Sequence, residues 1–200
     1  MMRVRFWGVR GSIAAAGPET AQVGGNTSCV EVRVPGGDSE ETLIIFDAGT
    51  GLRRLGESLT SPMAAHLLLS HLHWDHIQGF PFFGPAYVPG NRIRVYAPER
   101  CAGGGDVRAA LDAQMRAPHF PVGLDAMRAE LTFGAVAAGA EWSIGAARVQ
   151  AAAAKHPNGC LAYRVSAGGL TPGRDMATYL ATARECARRS AHDDPASQDP

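Results

Sequence analysis

The chain has 200 residues, 46% of them hydrophobic and 19% charged. That balance suits one globular domain with a sizeable core and excludes a disordered chain. Lys plus Arg and Asp plus Glu each number 19, so no global field exists to hold a long polyanion, and no clear nucleic-acid patch stands out. Cys29, Cys101, Cys160 and Cys186 are scattered without a C-x-x-C pair. They read as reduced, buried thiols rather than as a disulfide framework or a zinc knuckle. No apolar run reaches the length of a membrane span, and the first residues lack a signal-peptide core, so a cytoplasmic enzyme away from the membrane is expected.

Residues 3–9 alternate polar and apolar side chains and predict a first strand. Gly8, Gly11 and Gly17-Pro18 then mark a long loop. Gly24-Gly25-Asn26-Thr27-Ser28 is a glycine-led turn into a second strand, 29–34. Pro35-Gly36-Gly37-Asp38 is a hairpin signal before a third strand, 43–46, and Asp47-Ala48-Gly49-Thr50-Gly51 ends it. A short helix through Leu52, Leu55 and Leu59 follows. Ala64-Ala65-His66-Leu67-Leu68-Leu69 is a buried strand, and 75–80 begins a helix that Pro81 halts. Residues 93–97 are a strand. Residues 106–115 have a helical period, with Asp106 as N-cap. Strands at 130–133, 141–144, 148–153 and 160–165 complete a sheet-rich α/β domain over 1–170. From Thr171 to Pro200 there is no Val, Ile, Phe or Trp. That segment reads as an atypical tail, with a weak helix at 175–189 and then a disordered end.

The chemistry concentrates in His71-Leu72-His73-Trp74-Asp75-His76, which follows the apolar strand and Ser70. Neutral imidazoles and a carboxylate suit Zn²⁺, and also Mn²⁺ or Fe. The spacing H-x-H-x-D-H lets alternate side chains converge on one metal while the Asp and the adjacent His turn toward a second. Asp47, after a buried strand, is either a carboxylate that fixes the tautomer of a ligating histidine or a loop cap. The turn at Gly24-Gly25-Asn26 either offers N–H groups to a phosphate or simply needs glycine to bend. His66, inside the strand, reads as structural. His119 reads as a loop residue, and Arg10, Arg53 and Arg54 as solvated cations.

The histidine loop resembles that of the metallo-β-lactamase superfamily. Phe6-Trp7-Gly8-Val9-Arg10-Gly11-Ser12, the Gly24 to Cys29 turn, Phe46-Asp47-Ala48-Gly49-Thr50-Gly51 and His73-Trp74-Asp75-His76-Ile77-Gln78-Gly79-Phe80-Pro81 narrow the resemblance to the ribonuclease-Z-like and phosphoribosyl cyclic phosphodiesterase branch. The resemblance implies an αββα sandwich holding two metals at one edge of its sheets. His71, His73 and His156 would bind the first metal, and Asp75 and His76 the second. Asp75 would also orient the attacking hydroxide held by the metals. Asn26 and Thr27 fall near the substrate or behind the ligands. The strand and bridging Asp that the family places next have no counterpart in the sequence. Asp175 is the nearest candidate and His192 a poor stand-in for a last histidine, so the sandwich is expected to be incomplete at its C-terminal end.

These features predict a metal-dependent hydrolase of small or cyclic phosphodiesters, with a homodimer implied by the resemblance alone. A thioester, lactone or lactam hydrolase of the same superfamily is the rival enzyme. A catalytically impaired metal-binding remnant is the rival of a different class.

Overall fold

The computed structural model of the chain describes residues 2–36, 39–99, 106–156 and 159–167, with backbone alone at 39–40 and at Thr178–Leu180. Six strands form the larger sheet: β1 (Arg3–Gly8), β2 (Cys29–Gly36), β3 (Ser39–Phe46), β4 (Ala64–Leu68), β5 (Arg92–Pro98) and β6 (Glu130–Val136), side by side in that order. The first three run antiparallel as hairpin-type neighbours, and β3 to β6 run parallel. The second sheet is antiparallel in the order β10 (Thr178–Leu180), β9 (Cys160–Ala167), β8 (Ala147–Ala154), β7 (Glu141–Ile144).

Strand alternation builds two cores from one sheet. On β3, Leu43 and Ile45 point one way and Ile44 and Phe46 the other; on β4, Ala65 and Leu67 oppose Leu68. The first face lies under three helices, α1 (Gly51–Glu57), α2 (Trp74–Ile77) and α3 (Val107–Ala113), through Leu52, Leu55, Ile77, Val107 and Leu111. The second face meets the small sheet through Val149, Ala151, Leu161, Tyr163 and Val165. Strands of the sheet centre are covered on both sides, which is why β4 reads as a mostly apolar run, broken by His66, instead of an alternating one.

The architecture is that of an α/β sandwich with the histidine loop at the C-terminal ends of its parallel strands. Among the described residues the buried helix faces all belong to the larger sheet, so the outer helical layer expected over the small sheet is not seen there. Asp106 caps α3, its carboxylate accepting the Arg108 amide at 3.0 Å. Two expectations need correction. The helix expected at 75–80 spans only Trp74–Ile77, and the chain continues as a 3₁₀ turn, Phe80–Phe82, that takes Pro81 into its first positions, where proline lacks no needed donor. The weak helix expected at 175–189 does not hold at Thr178–Leu180, which pairs as β10 with Val165, Arg164 and Tyr163 of β9. No described helix is long and apolar enough to cross a membrane.

Candidate metal centre

Three chain segments meet where the parallel strands end. β3 delivers Asp47, β4 delivers Ser70 and the histidine loop, and the turn between β8 and β9 delivers His156. The Leu161 amide at the start of β9 donates to the Ser70 carbonyl at 2.9 Å, which ties the small sheet to the loop beside that turn. His71, His73 and His156 converge: one nitrogen from each lies within 4.8 Å of the others. Their ring centroids are 4.4 to 4.8 Å apart. Burial and the nearby charge of His76 push His71 down to about 3, which keeps it in the neutral form that a metal requires. Three imidazole nitrogens around one point are a donor set for a borderline divalent ion such as zinc.

The second predicted pair adjoins the first. The His76 ring lies 4.1 Å from that of His71, and its Nε2 faces Asp75 Oδ2 at 3.4 Å. His76 Nδ1 is held by Asp47 Oδ2 at 2.7 Å. Burial resists charge on His76, but the Asp47 and Asp75 carboxylates outweigh it and lift His76 to about 10. Both carboxylates lie below their ordinary range. Burial opposes this for each; the His76 charge prevails at Asp47, and bonds to His76 and to the Ser12 amide prevail at Asp75. A corner that favours positive charge in this way also suits a cation. Asp175, the further ligand expected there, lies outside the described residues, as does His192.

Asp47 behaves as a buried brace. Its Oδ1 accepts the Ser70 amide at 2.8 Å and the Ser70 hydroxyl at 2.9 Å, and its Oδ2 accepts the Ser28 hydroxyl at 3.0 Å. With the His76 bond, that fixes the ring so that Nε2 points into the site, and the ligand-orienting reading of Asp47 is the one the geometry carries. Asp47 also has φ 60, a left-handed backbone uncommon outside glycine.

Asn26 and Thr27 bond inward to neighbouring loops. Asn26 Oδ1 accepts the Thr50 hydroxyl, the Asn26 carbonyl accepts the Val9 and Arg10 amides, and fully buried Thr27 exchanges bonds with Thr50 and accepts from Gln78. They clasp the loop after β3. The turn before them needs glycine for shape: Gly24 has φ 93, and a side chain at Gly25 would meet the Ala15 carbonyl. His119, Arg53 and Arg54 are exposed, and the Arg10 guanidinium donates to the Ile13 carbonyl.

The sequence reading passed over two groups. Ser70 is the hub behind the ligands, its hydroxyl within 3.0 Å of His71 Nδ1 and 3.4 Å of His76 Nδ1 as well as bonded to Asp47. Its position between an apolar strand and the first ligand was the available signal. Cys160, at the start of β9, has its sulfur 3.9 Å from His71 Nδ1; burial and the Asp47 charge push its thiol up to about 12, so it stays protonated.

A histidine loop at the end of parallel strands, completed by a histidine from a second packed sheet, defines a metallo-β-lactamase fold. The family described as the beta-lactamase superfamily domain matches residues 42–177, and the chain belongs to it. Ribonuclease Z of Haloarcula marismortui is 31% identical over 130 residues, covering 64% of this chain and 38% of the relative. The chain thus spans well under half of that curated relative. The metallo-beta-lactamase fold protein YhfI from Bacillus subtilis superposes with a TM-score of 0.54 at 19% identity, over 84% of this chain and 58% of that one. A diphosphatase of the PhnP family gives 0.57 at 14% identity, over 83% and 63%. At these identities the two structures are similar in fold alone.

Proposed function

We propose that the chain is a metal-dependent hydrolase of phosphodiesters, of the small or cyclic kind, with zinc as its ion. The observation that carries this reading is the convergence of His71, His73 and His156 beside the Asp75–His76 corner. The similarity to a ribonuclease Z favours a phosphodiester over a thioester, lactone or lactam. A divalent ion supplies, when bound, Lewis acidity toward a phosphoryl oxygen and a lowered pKa for water.

The residues of the chain do the rest. Asp75 is 15% exposed at its side chain, open enough to reach substrate, and its lowered pKa keeps it a carboxylate at neutral pH. As a fixed anion it would orient the attacking water and place negative charge beside it. Asp47 and Ser70 hold His76 and His71 in fixed orientations.

Turnover of bis-p-nitrophenyl phosphate, against nitrocefin and a glutathione thioester, tests the reading with zinc or manganese supplied. The phosphodiester is the expected substrate. Turnover of nitrocefin or the thioester alone would assign the chain to the other hydrolases of the superfamily.

A further inference from the structure

Among the described residues two non-glycines have a left-handed backbone, Asp47 and Ser12. Such residues gather where a site holds a backbone in place. Asp47 is the brace behind His76. Ser12 lies far from it in sequence, at φ 69, exposed, in the loop between β1 and β2. Its amide donates to Asp75 Oδ2 at 2.8 Å, across 63 residues of chain.

The positive φ of Ser12 belongs to a tight three-residue turn in which the Ile13 amide donates to the Gly11 carbonyl at 2.9 Å, while Ser12 itself is exposed and a side chain at Gly11 would meet open space. The loop around it is nevertheless pinned. The Val9 and Arg10 amides donate to the Asn26 carbonyl, the Arg10 guanidinium closes onto the Ile13 carbonyl at 2.8 Å, and the Ala15 amide donates to Gly25. The Asn26–Thr27 clasp therefore has a use in the site: it anchors the loop that reaches Asp75.

We infer that Ser12 is a positioning residue, whose left-handed backbone aims an amide at one oxygen of Asp75 and leaves the other for the reacting groups. A charge-assisted bond from a fixed donor sets the carboxylate plane, and a small misplacement of such a group is costly to a rate. The kinetic part of this inference rests on the hydrolase reading above; the hydrogen bond does not.

Two measurements on the full chain test it. In ¹⁵N-resolved spectra the Ser12 amide proton should lie downfield and move upfield in Asp75→Ala; a Ser12 resonance indifferent to Asp75→Ala overturns the inference. In kinetics, Ser12→Val resists a positive φ and should lower kcat about tenfold with KM changed less than about twofold. Ser12→Gly keeps the amide and accepts the backbone, and should recover the rate to within about threefold of the parent. Equal losses in Val and Gly would assign the effect to the hydroxyl and overturn the inference. If the parent hydrolyses the phosphodiester and Ser12→Val is as fast, the inference falls while the hydrolase reading stands. If the parent is inert, the hydrolase reading falls and the amide resonance alone decides the bond. That resonance needs no Ser12 variant, so a misfolded Ser12→Val does not spare the inference.

Discussion

The candidate ligands of the three-histidine set are held in different ways, and this makes single substitutions informative. His71 is backed by Ser70, and His73 is the N-cap of α2. Alanine at His71, His73 or His156 is expected to abolish binding at the first metal position, read by atomic emission after dialysis; full zinc retention by any of the three would dismiss that residue as a ligand. Asp75→Asn keeps the volume and loses the carboxylate charge, so phosphodiester turnover should fall about a hundredfold or more, by analogy with other positioned acid–base groups. Zinc at the three histidines should stay at the parent level, and near-parental turnover would remove Asp75 from the chemistry. His71, His73, Asp75 and His76 stood out in the sequence because ligand residue types at a strand end form a dense pattern, whereas His156 stood out through the family resemblance, and the fold brings it to His71 and His73. Asn26 and Thr27 admitted two readings for a physical reason. A glycine-led polar turn has the same composition whether its groups face a phosphate or bond inward, and here Thr50 and Gln78 take them. Ser12 left no signal, since its contribution is a backbone amide, which every non-proline residue owns.

The strands were readable where burial is sorted by period two, as on β3 and β9, and their ends were less so. β3, for one, was expected at 43–46 but begins at Ser39, because hairpin pairing with β2 recruits polar residues that carry no pattern. β10 was missed altogether, because three residues without a β-branched apolar side chain become a strand through pairing with β9 and not through propensity. The inner face of β4 carries a testable irregularity. His66 stacks on Tyr96 at 6.1 Å, and its Nδ1 is buried without a hydrogen-bond partner among the described residues. Burial, helped by the positive charge of Arg94, lowers its pKa. A base whose folded pKa lies below its unfolded value is protonated first in the unfolded chain. Stability is therefore fully present above the unfolded pKa of about 6.5 and declines as pH falls below it toward the folded value. His66→Phe should flatten that part of the urea-midpoint profile between pH 7 and 5 relative to the parent. A parent and variant with parallel profiles would show that His66 does not titrate against folding.

The whole molecule places its ligands on both sheets: His71 and His73 follow a strand of the larger one, and His156 joins two strands of the smaller. An ion bound by all three therefore clips the sheets together, and its binding energy is folding energy for the sandwich. At a hundredfold excess over Kd that linkage contributes about 2.7 kcal/mol. The first position has its full set of three imidazoles among the described residues, whereas the second has Asp75 and His76 there and shares its positive-charge preference with a proton on His76. The two positions should consequently differ in strength. Zinc titration against a chromophoric chelator is expected to show one tight equivalent per chain and a second, weaker one. Only the tight equivalent should raise Tm in proportion to occupancy. Asp75→Ala should remove the weak step and leave the tight one in place, and His156→Ala should remove the tight step together with most of the Tm shift. Two equivalents of equal strength, both surviving Asp75→Ala, would mean that the second ion is held by residues other than this corner.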